Sequence, residues 1–216
     1  MDSHRLNIGC GDTPSSGWIN IDNSISIRLA NYPLITKLLT FLKLLNSNQK
    51  NYIDFCKSNN IIWADVVQKI PFKDNSVEAI YTSHMLEHLD RDDARVFLLN
   101  AKKVLKPGGI FRISVPDFRM LIEGYMDHNS VDKFLEDSLL TITAPKTIIQ
   151  KINLLTTGLR HHQWMYDSRS LISLLKDCGF INVIEVSHNT SNIFNQNGLN
   201  LEERSEESIY IECSVD

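Results

Sequence analysis

The segment Leu6-Asn7-Ile8-Gly9-Cys10-Gly11 runs an apolar strand straight into a glycine-rich turn, and the next apolar run, Trp18–Ile21, ends on the carboxylate of Asp22. Glycines at such a turn let a ligand approach the backbone with no Cβ in the way. A carboxylate at the tip of the second strand can accept both hydroxyls of a ribose, as in dinucleotide-binding folds. In those folds the acidic residue stands about 20 residues beyond the glycines, across a full helix. Asp22 follows Gly11 too closely for that, so the first crossover, Asp12–Gly17, is expected to be a loop or a single turn. Without a helix N-terminus to receive a pyrophosphate, the pair of strands favours a nucleoside lacking phosphates over NAD. Taken alone, the G-x-G turn fits a tight turn after an edge strand equally well.

The rhythm of strands continues along the chain. Apolar runs at Arg5–Ile8, Trp18–Ile21, Ile61–Ala64, Ala79–Ser83, Ile110–Val115, Ile181–Ser187 and Ile209–Ser214 are bounded by Gly, Pro, Asp or Asn. Helical patterns separate several of them, which predicts a mostly parallel sheet with βαβ crossovers. The clearest helix is Asp92–Leu105, with Ala94, Phe97, Leu98, Ala101, Val104 and Leu105 on one face and Lys106-Pro107-Gly108-Gly109 ending it. A second spans Ser168–Cys178, capped by Asp167 or Ser168 and stopped by Gly179.

Two segments exceed this alternation, about 23–60 and about 118–166, and connections this long form helices, lids or substrate walls. The first contains the amphipathic stretch Pro33–Leu45. It reads as a helix packed on the sheet, a substrate lid, a dimer face or a membrane-surface contact. The second carries a further apolar run at Thr147–Leu155. With 216 residues, no repeats and no low-complexity linker, the expectation is a single domain over 1–216.

The net charge of -4 argues against a nucleic-acid binder held by phosphate neutralisation. Four scattered cysteines, Cys10, Cys56, Cys178 and Cys213, suit free thiols in a reducing cytosol. The N-terminus shows no signal-peptide apolar region and no stretch reaches transmembrane length, so a cytoplasmic protein is expected.

Asp65 closes the third strand in Ala64-Asp65-Val66 and could accept a hydrogen bond from an adenine amino group. The ordered set "NIGCG", "INID", "ADV…IPFKDNSVEAIYTSHMLEHL", "VLKPGG" and "RISVPD" resembles the class I S-adenosylmethionine-dependent methyltransferases, in the branch called type 11. "GWINID" with the later "HHQWMYD" is similar to small bacterial methyltransferases found with polysaccharide-biosynthesis genes. The resemblance implies an α/β Rossmann-like, doubly wound sheet of seven strands ordered 3-2-1-4-5-7-6, with the last strand antiparallel. It implies S-adenosylmethionine as cofactor and S-adenosylhomocysteine as product. Gly9 and Gly11 would flank the methionine part, with Asn7 and Cys10 in the same turn. Asp22 would hold the ribose, Asp65 and Val66 the adenine, and Ser83 and His84 would border the transferred methyl.

Methyl transfer from a sulfonium expels a neutral thioether, so positioning supplies much of the catalysis. A hydroxyl acceptor also benefits from a general base. Four histidines are candidates: His84 and His88 around Met85-Leu86-Glu87, and His161 and His162 before Gln163-Trp164-Met165-Tyr166-Asp167. Asp117, Trp164 and Tyr166 are candidate substrate contacts, although Asp117 also fits a helix cap and the two aromatics fit the core. His84 and His88 with Glu87 hint at a metal, but the sequence reveals no completing ligand set, and none is expected. Nucleobase amino-methyltransferases of this fold carry an Asn/Asp-Pro-Pro-aromatic motif after the fourth strand, where this chain reads Tyr81-Thr82-Ser83-His84-Met85. A small or lipid-linked hydroxylated acceptor such as a sugar is the expectation. N-methylation of a small amine and a non-catalytic cofactor-binding partner subunit are the alternatives.

Overall fold

The computed structural model describes residues 4–141, 161–193, 196–202 and 204–216. In chain order the elements are β1 (His4–Ile8), β2 (Ile19–Asp22), α1 (Ile25–Ala30), α2 (Pro33–Phe41), α3 (Ser47–Ser58), β3 (Ile62–Trp63) and β4 (Val77–Ser83). A 3-10 turn (Leu86–His88) leads to α4 (Arg91–Val104), β5 (Leu105–Pro116), α5 (Phe118–His128) and α6 (Val131–Ser138). The chain then forms α7 (Ser168–Asp177), β6 (Ile181–Glu185) and β7 (Ser208–Ser214). The strands make one seven-stranded sheet ordered β3-β2-β1-β4-β5-β7-β6. Its first five members are parallel, and β7 runs antiparallel to both neighbours. Strand order and the antiparallel final strand match the expectation.

Helix α4 shows why the local sequence chooses its shape. The Asp90 carboxylate accepts the amides of Asp92 and Asp93, and Lys102 and Lys103 stand in the last turn, so both ends complement the helix dipole. Ala94, Phe97, Leu98, Ala101 and Val104 are buried on one face. They join Leu6, Ile8, Ile80, Phe111 and Ile113 of the strands and Leu171, Leu174 and Leu175 of α7 in one core. Each large side chain so buried contributes roughly 1.5–3 kcal/mol. Leu105, read from sequence as the end of the helix, is instead the first residue of β5.

No helix forms between β1 and β2, as their short separation requires. Asn7 braces the loop in its place, donating to the Thr13 carbonyl, Ser15 Oγ and Asn20 Oδ1 at 3.1–3.2 Å. The Asn20 side chain in turn accepts the Ser15 amide at 2.8 Å.

The insertion between β2 and β3 is three helices. Ile27 of α1 and Ile53 and Cys56 of α3 are buried together with Cys10 and Ile61. Helix α2 buries none of its residues, and Leu34 and Phe41 are 81% and 83% exposed. The reading of Pro33–Leu45 as a helix packed on the sheet is therefore corrected. Among the described contacts α2 meets α1, where Thr36 Oγ1 donates to the Leu29 carbonyl, and its apolar face points outward. In the later insertion α5 and α6 pack on each other, with Tyr125 edge-on to Phe134. The run Thr147–Leu155 lies outside the described residues. Among the described residues no helix is long and apolar enough to cross a membrane.

At the other side of the sheet Arg112 of β5 faces Glu212 of β7 in register, with 3.0 Å between Nη1 and Oε1. The guanidinium also donates to the Thr190 and His188 carbonyls, and the carboxylate accepts from Ser191 and Asn192. This buried pair ties the segment after β6 to the sheet.

Candidate functional site

The parallel strands β1, β2, β3 and β4 all end at one edge, and the predicted cofactor residues collect there. Gly9 (φ 72°) and Gly11 (φ 51°) adopt the left-handed backbone that side chains resist. A Cβ on Gly9 would lie 2.5 Å from Met85 Cγ, so β1 needs glycine here for its contact with the segment after β4. A Cβ on Gly11 would meet nothing within 4 Å, which leaves open space above the turn. The Asp22 carboxylate accepts the Gly11 amide at 3.1 Å and the Ser24 amide at 2.8 Å. Burial raises its pKa, and the two amides hold that rise back. Two amides leave a carboxylate with further acceptor positions. Asp65 Oδ1 accepts the Val67 and Gln68 amides, closing the turn after β3. Ser83 Oγ and Ser114 Oγ, register partners near the ends of β4 and β5, are buried without a partner. An open glycine turn, an adjoining carboxylate and orphaned hydroxyls fit a nucleoside with a polar tail.

Other expected contacts lie elsewhere. The Asn7 side chain is spent on the loop after β1. The Cys10 side chain points into the α1–α3 cluster, and burial pushes its thiol pKa far up, so only its backbone belongs to the turn. Val66 is a core side chain whose carbonyl accepts from Asn100 Nδ2 at 3.1 Å. An open cavity of about 480 Å³ at the N-terminal ends of β2 and β3, lined by Pro14, Trp18, Asn20 and Asn60 among others, contains none of the expected site residues.

Three of the four candidate histidines meet around Glu87, which the sequence had not marked as central. His84 has φ 48°, a sharp turn that redirects the chain after β4, and its amide donates to the Ser114 carbonyl. Its Nδ1 lies 3.0 Å from Arg204 Nη1 and its Nε2 2.7 Å from Ser208 Oγ. Arginine can only donate, so Nδ1 accepts and Nε2 carries the proton. Burial first, then Arg204, lowers the His84 pKa to about 3. Both ring nitrogens of His84 are thus engaged in hydrogen bonds.

Glu87 is fully buried, 3.6 Å from His84 Nδ1 and 3.8 Å from His162 Nε2. Burial raises its pKa to about 8, and its own backbone amide partly offsets this. His162 is buried too, and desolvation followed by the neighbouring His88 lowers its pKa to about 4. The His88 and His162 rings stand edge to face with centroids 5.1 Å apart, and His88 Nδ1 lies 3.0 Å from the His161 carbonyl. The Glu87 carbonyl accepts the Gln163 and Trp164 amides, and Gln163 Nε2 donates to the His88 carbonyl at 2.6 Å. These bonds clamp the "HHQW" segment onto the "LEH" turn, a meeting of residues far apart in sequence that no local spacing reveals.

Of the expected substrate contacts, Asp117 caps α5 by accepting the Arg119 amide and pairs with Tyr166 as a parallel bridge. The Tyr166 ring is core, so for both residues the structural alternative describes the side chain. Trp164 is 42% exposed, and the Arg91 guanidinium stands 5.3 Å from its ring centre.

Residues 6–113, half of the chain, match the family model of the methyltransferase domain. Comparison with curated proteins finds no match. Among solved structures, the PH0226 protein of Pyrococcus horikoshii OT3 aligns with a TM-score of 0.53 at 13% identity, over 100% of this chain and 83% of that one. An S-adenosylmethionine-dependent methyltransferase of Methanosarcina mazei aligns at 0.52 and 15% identity, over 99% and 92%. The methyltransferase SibL in its apo form aligns at 0.50 and 14% identity, over 99% of this chain. The chain spans 50% of SibL and 56% of PigF, about half the length of those relatives. At such identities the likeness is one of fold.

Proposed function

The chain belongs to the methyltransferase-domain family as a class I S-adenosylmethionine-dependent enzyme, and from that premise we propose that it methylates a hydroxyl of a small or lipid-linked acceptor such as a sugar. S-adenosylmethionine, when bound, supplies a methyl group activated on a sulfonium sulfur. Asp22 accepts the ribose hydroxyls, Gly9 and Gly11 give the methionine part its backbone approach, and Asp65 lies on the adenine side. Ser83 offers its unpartnered hydroxyl beside the methyl-bearing end.

The observation that carries the hydroxyl reading is the meeting of half-buried His88 with buried Glu87 and His162. A sulfonium methyl already reacts with an amine, whereas a hydroxyl needs its proton withdrawn as it attacks. The group formed by His162, His88 and buried Glu87 supplies that withdrawal, with His162 Nε2 3.8 Å from Glu87 Oε1. His161 presents the other ring of the pair, and exposed Trp164 offers a face for a sugar ring.

Four free, buried cysteines suit a reducing cytoplasm. The outward apolar face of α2, flanked by Lys37 and Lys43, suits the surface of a membrane carrying a lipid-linked acceptor in polysaccharide biosynthesis.

The test begins with calorimetric titration of S-adenosylmethionine, S-adenosylhomocysteine and NAD. Saturable binding of the two adenosyl compounds and none of NAD is expected. Incubation with hydroxylated and amino acceptors, read by mass spectrometry, should then give O-methyl products. Methylation confined to amines would overturn the hydroxyl assignment, and cofactor binding without turnover would favour a partner subunit.

A further inference from the structure

Glu87 poses an unusual problem for a side chain that is 1% exposed. Apart from its own backbone amide, neither carboxylate oxygen has a hydrogen-bond donor among the described residues. The neighbouring His84 Nδ1 cannot serve, because it already accepts from Arg204. Buried carboxylates are rare without a proton donor or a cation.

What faces Glu87 is a pair of imidazoles. Glu87, His88 and His162 each place one ligand atom so that all lie within 4.8 Å of one another. The His161 carbonyl beside His88 Nδ1 can only accept, so Nδ1 carries the proton. An outer carbonyl orienting a histidine in this manner is a regular accompaniment of metal ligation. The frame is fixed as well, since the Gln163 and Trp164 amides and the Gln163 side chain lock the His162 segment to the turn bearing Glu87 and His88. Metal–ligand bonds of ~2.0–2.2 Å put the ligand atoms of one ion roughly 3.3–4.2 Å apart. Glu87 Oε1 and His162 Nε2 are 3.8 Å apart, so an ion fits with small side-chain adjustments.

We infer that Glu87, His88 and His162 form a binding site for a divalent first-row transition-metal ion. Two imidazoles and a carboxylate suit zinc, iron, cobalt or nickel, and three protein ligands leave coordination positions open. This deepens the proposed function and rests on it. The open position takes the acceptor hydroxyl, whose proton passes to water as the ion acidifies it, and the cluster acts through the ion instead of taking up the proton itself.

The full chain, stripped with a chelator, would be titrated with Co2+ by visible absorption and with Zn2+ by calorimetry. The same samples would be titrated with S-adenosylhomocysteine. One saturable equivalent is expected, with a cobalt spectrum typical of mixed nitrogen and oxygen ligation. Affinity should fall at least ~10-fold in Glu87→Gln and in His162→Ala. If Glu87→Gln does not fold, His88→Ala at its half-buried position carries the same test. No saturation by the wild type, or equal affinity in the folded variants, overturns the site. Binding of S-adenosylhomocysteine without metal overturns the ion alone. Metal binding without S-adenosylhomocysteine supports the ion site and overturns its role in methyl transfer.

Discussion

The Asp22 carboxylate accepts the Gly11 amide at 3.1 Å, tying the tip of β2 to the glycine turn that ends β1. One carboxylate thus shapes the turn and presents its remaining acceptor positions beside it. Asp22→Ala should weaken S-adenosylhomocysteine binding by ~10–100-fold, the loss of two charge-assisted hydrogen bonds to a ribose. Asp22→Asn should fall between, because its amide oxygen can still accept from Gly11. Burial raises the Asp22 pKa, so acidification should protonate it, and weaken binding, at a higher pH than for an ordinary aspartate. Calorimetry across pH reads both effects, and unchanged affinity in a folded Ala variant removes Asp22 as the ribose contact.

His162 and Glu87 are 3.8 Å apart in a buried pocket, whereas His84 has both ring nitrogens engaged. His162→Ala should slow methyl transfer to a hydroxyl by ~10²–10⁴-fold while leaving cofactor affinity nearly intact. His161→Ala, which leaves the Glu87 pair in place, should cost far less. Single-turnover rates set beside calorimetric affinities separate the effects, and an unaltered His162→Ala rate excludes that residue from proton withdrawal.

Strand order was legible because each strand is a short apolar run closed by a turn residue, and the missing first helix was legible from the closeness of Gly11 and Asp22. The glycine turn and the carboxylates were legible for the same reason, since they sit where a strand ends. Side-chain direction was not. Asn7 looks like a ligand contact in sequence and turns instead into the loop, where three acceptors wait. The place of Glu87 depends on a contact between residues 87 and 162, which belongs to tertiary packing and leaves no local period. Glu87 between His84 and His88 was the hint that the sequence offered.

Arg112 and Glu212 form a buried, in-register ion pair in which the guanidinium also donates to the His188 and Thr190 carbonyls and the carboxylate accepts the Asn192 amide, while Arg112 Nε is buried without a partner. Removing one partner strands the other in the interior. Arg112→Ala should therefore cost about 3–5 kcal/mol, read as a lower urea midpoint. Replacing both partners by apolar residues should recover part of that loss, and an additive double variant would show that the two charges do not interact.

Leu34 and Phe41 of α2 are 81% and 83% exposed, on a helix with no buried residue. Leu34→Asp and Phe41→Asp should change stability by less than about 0.5 kcal/mol. If this face meets a membrane, the same pair should abolish sedimentation of the wild-type protein with vesicles rich in anionic lipid. Equal sedimentation of both proteins would remove the membrane contact, and a change in the oligomeric state of the variants would assign the face to a second copy instead.

Gly9 and Gly11 share a left-handed backbone but differ in what surrounds them. Gly9→Ala adds a Cβ 2.5 Å from Met85 Cγ, so the segment carrying His84 and Glu87 must shift and the backbone is strained as well. It should lower stability by ~1–3 kcal/mol and impair cofactor binding with it. Gly11→Ala meets only open space and bears the backbone strain alone, roughly 1 kcal/mol. That open space is where the methionine part of the cofactor would lie, so Gly11→Ala should cost more in S-adenosylhomocysteine affinity than in stability. Urea midpoints set against calorimetric affinities distinguish the two variants, and a Gly11→Ala protein that binds as tightly as wild type would place the cofactor away from this turn.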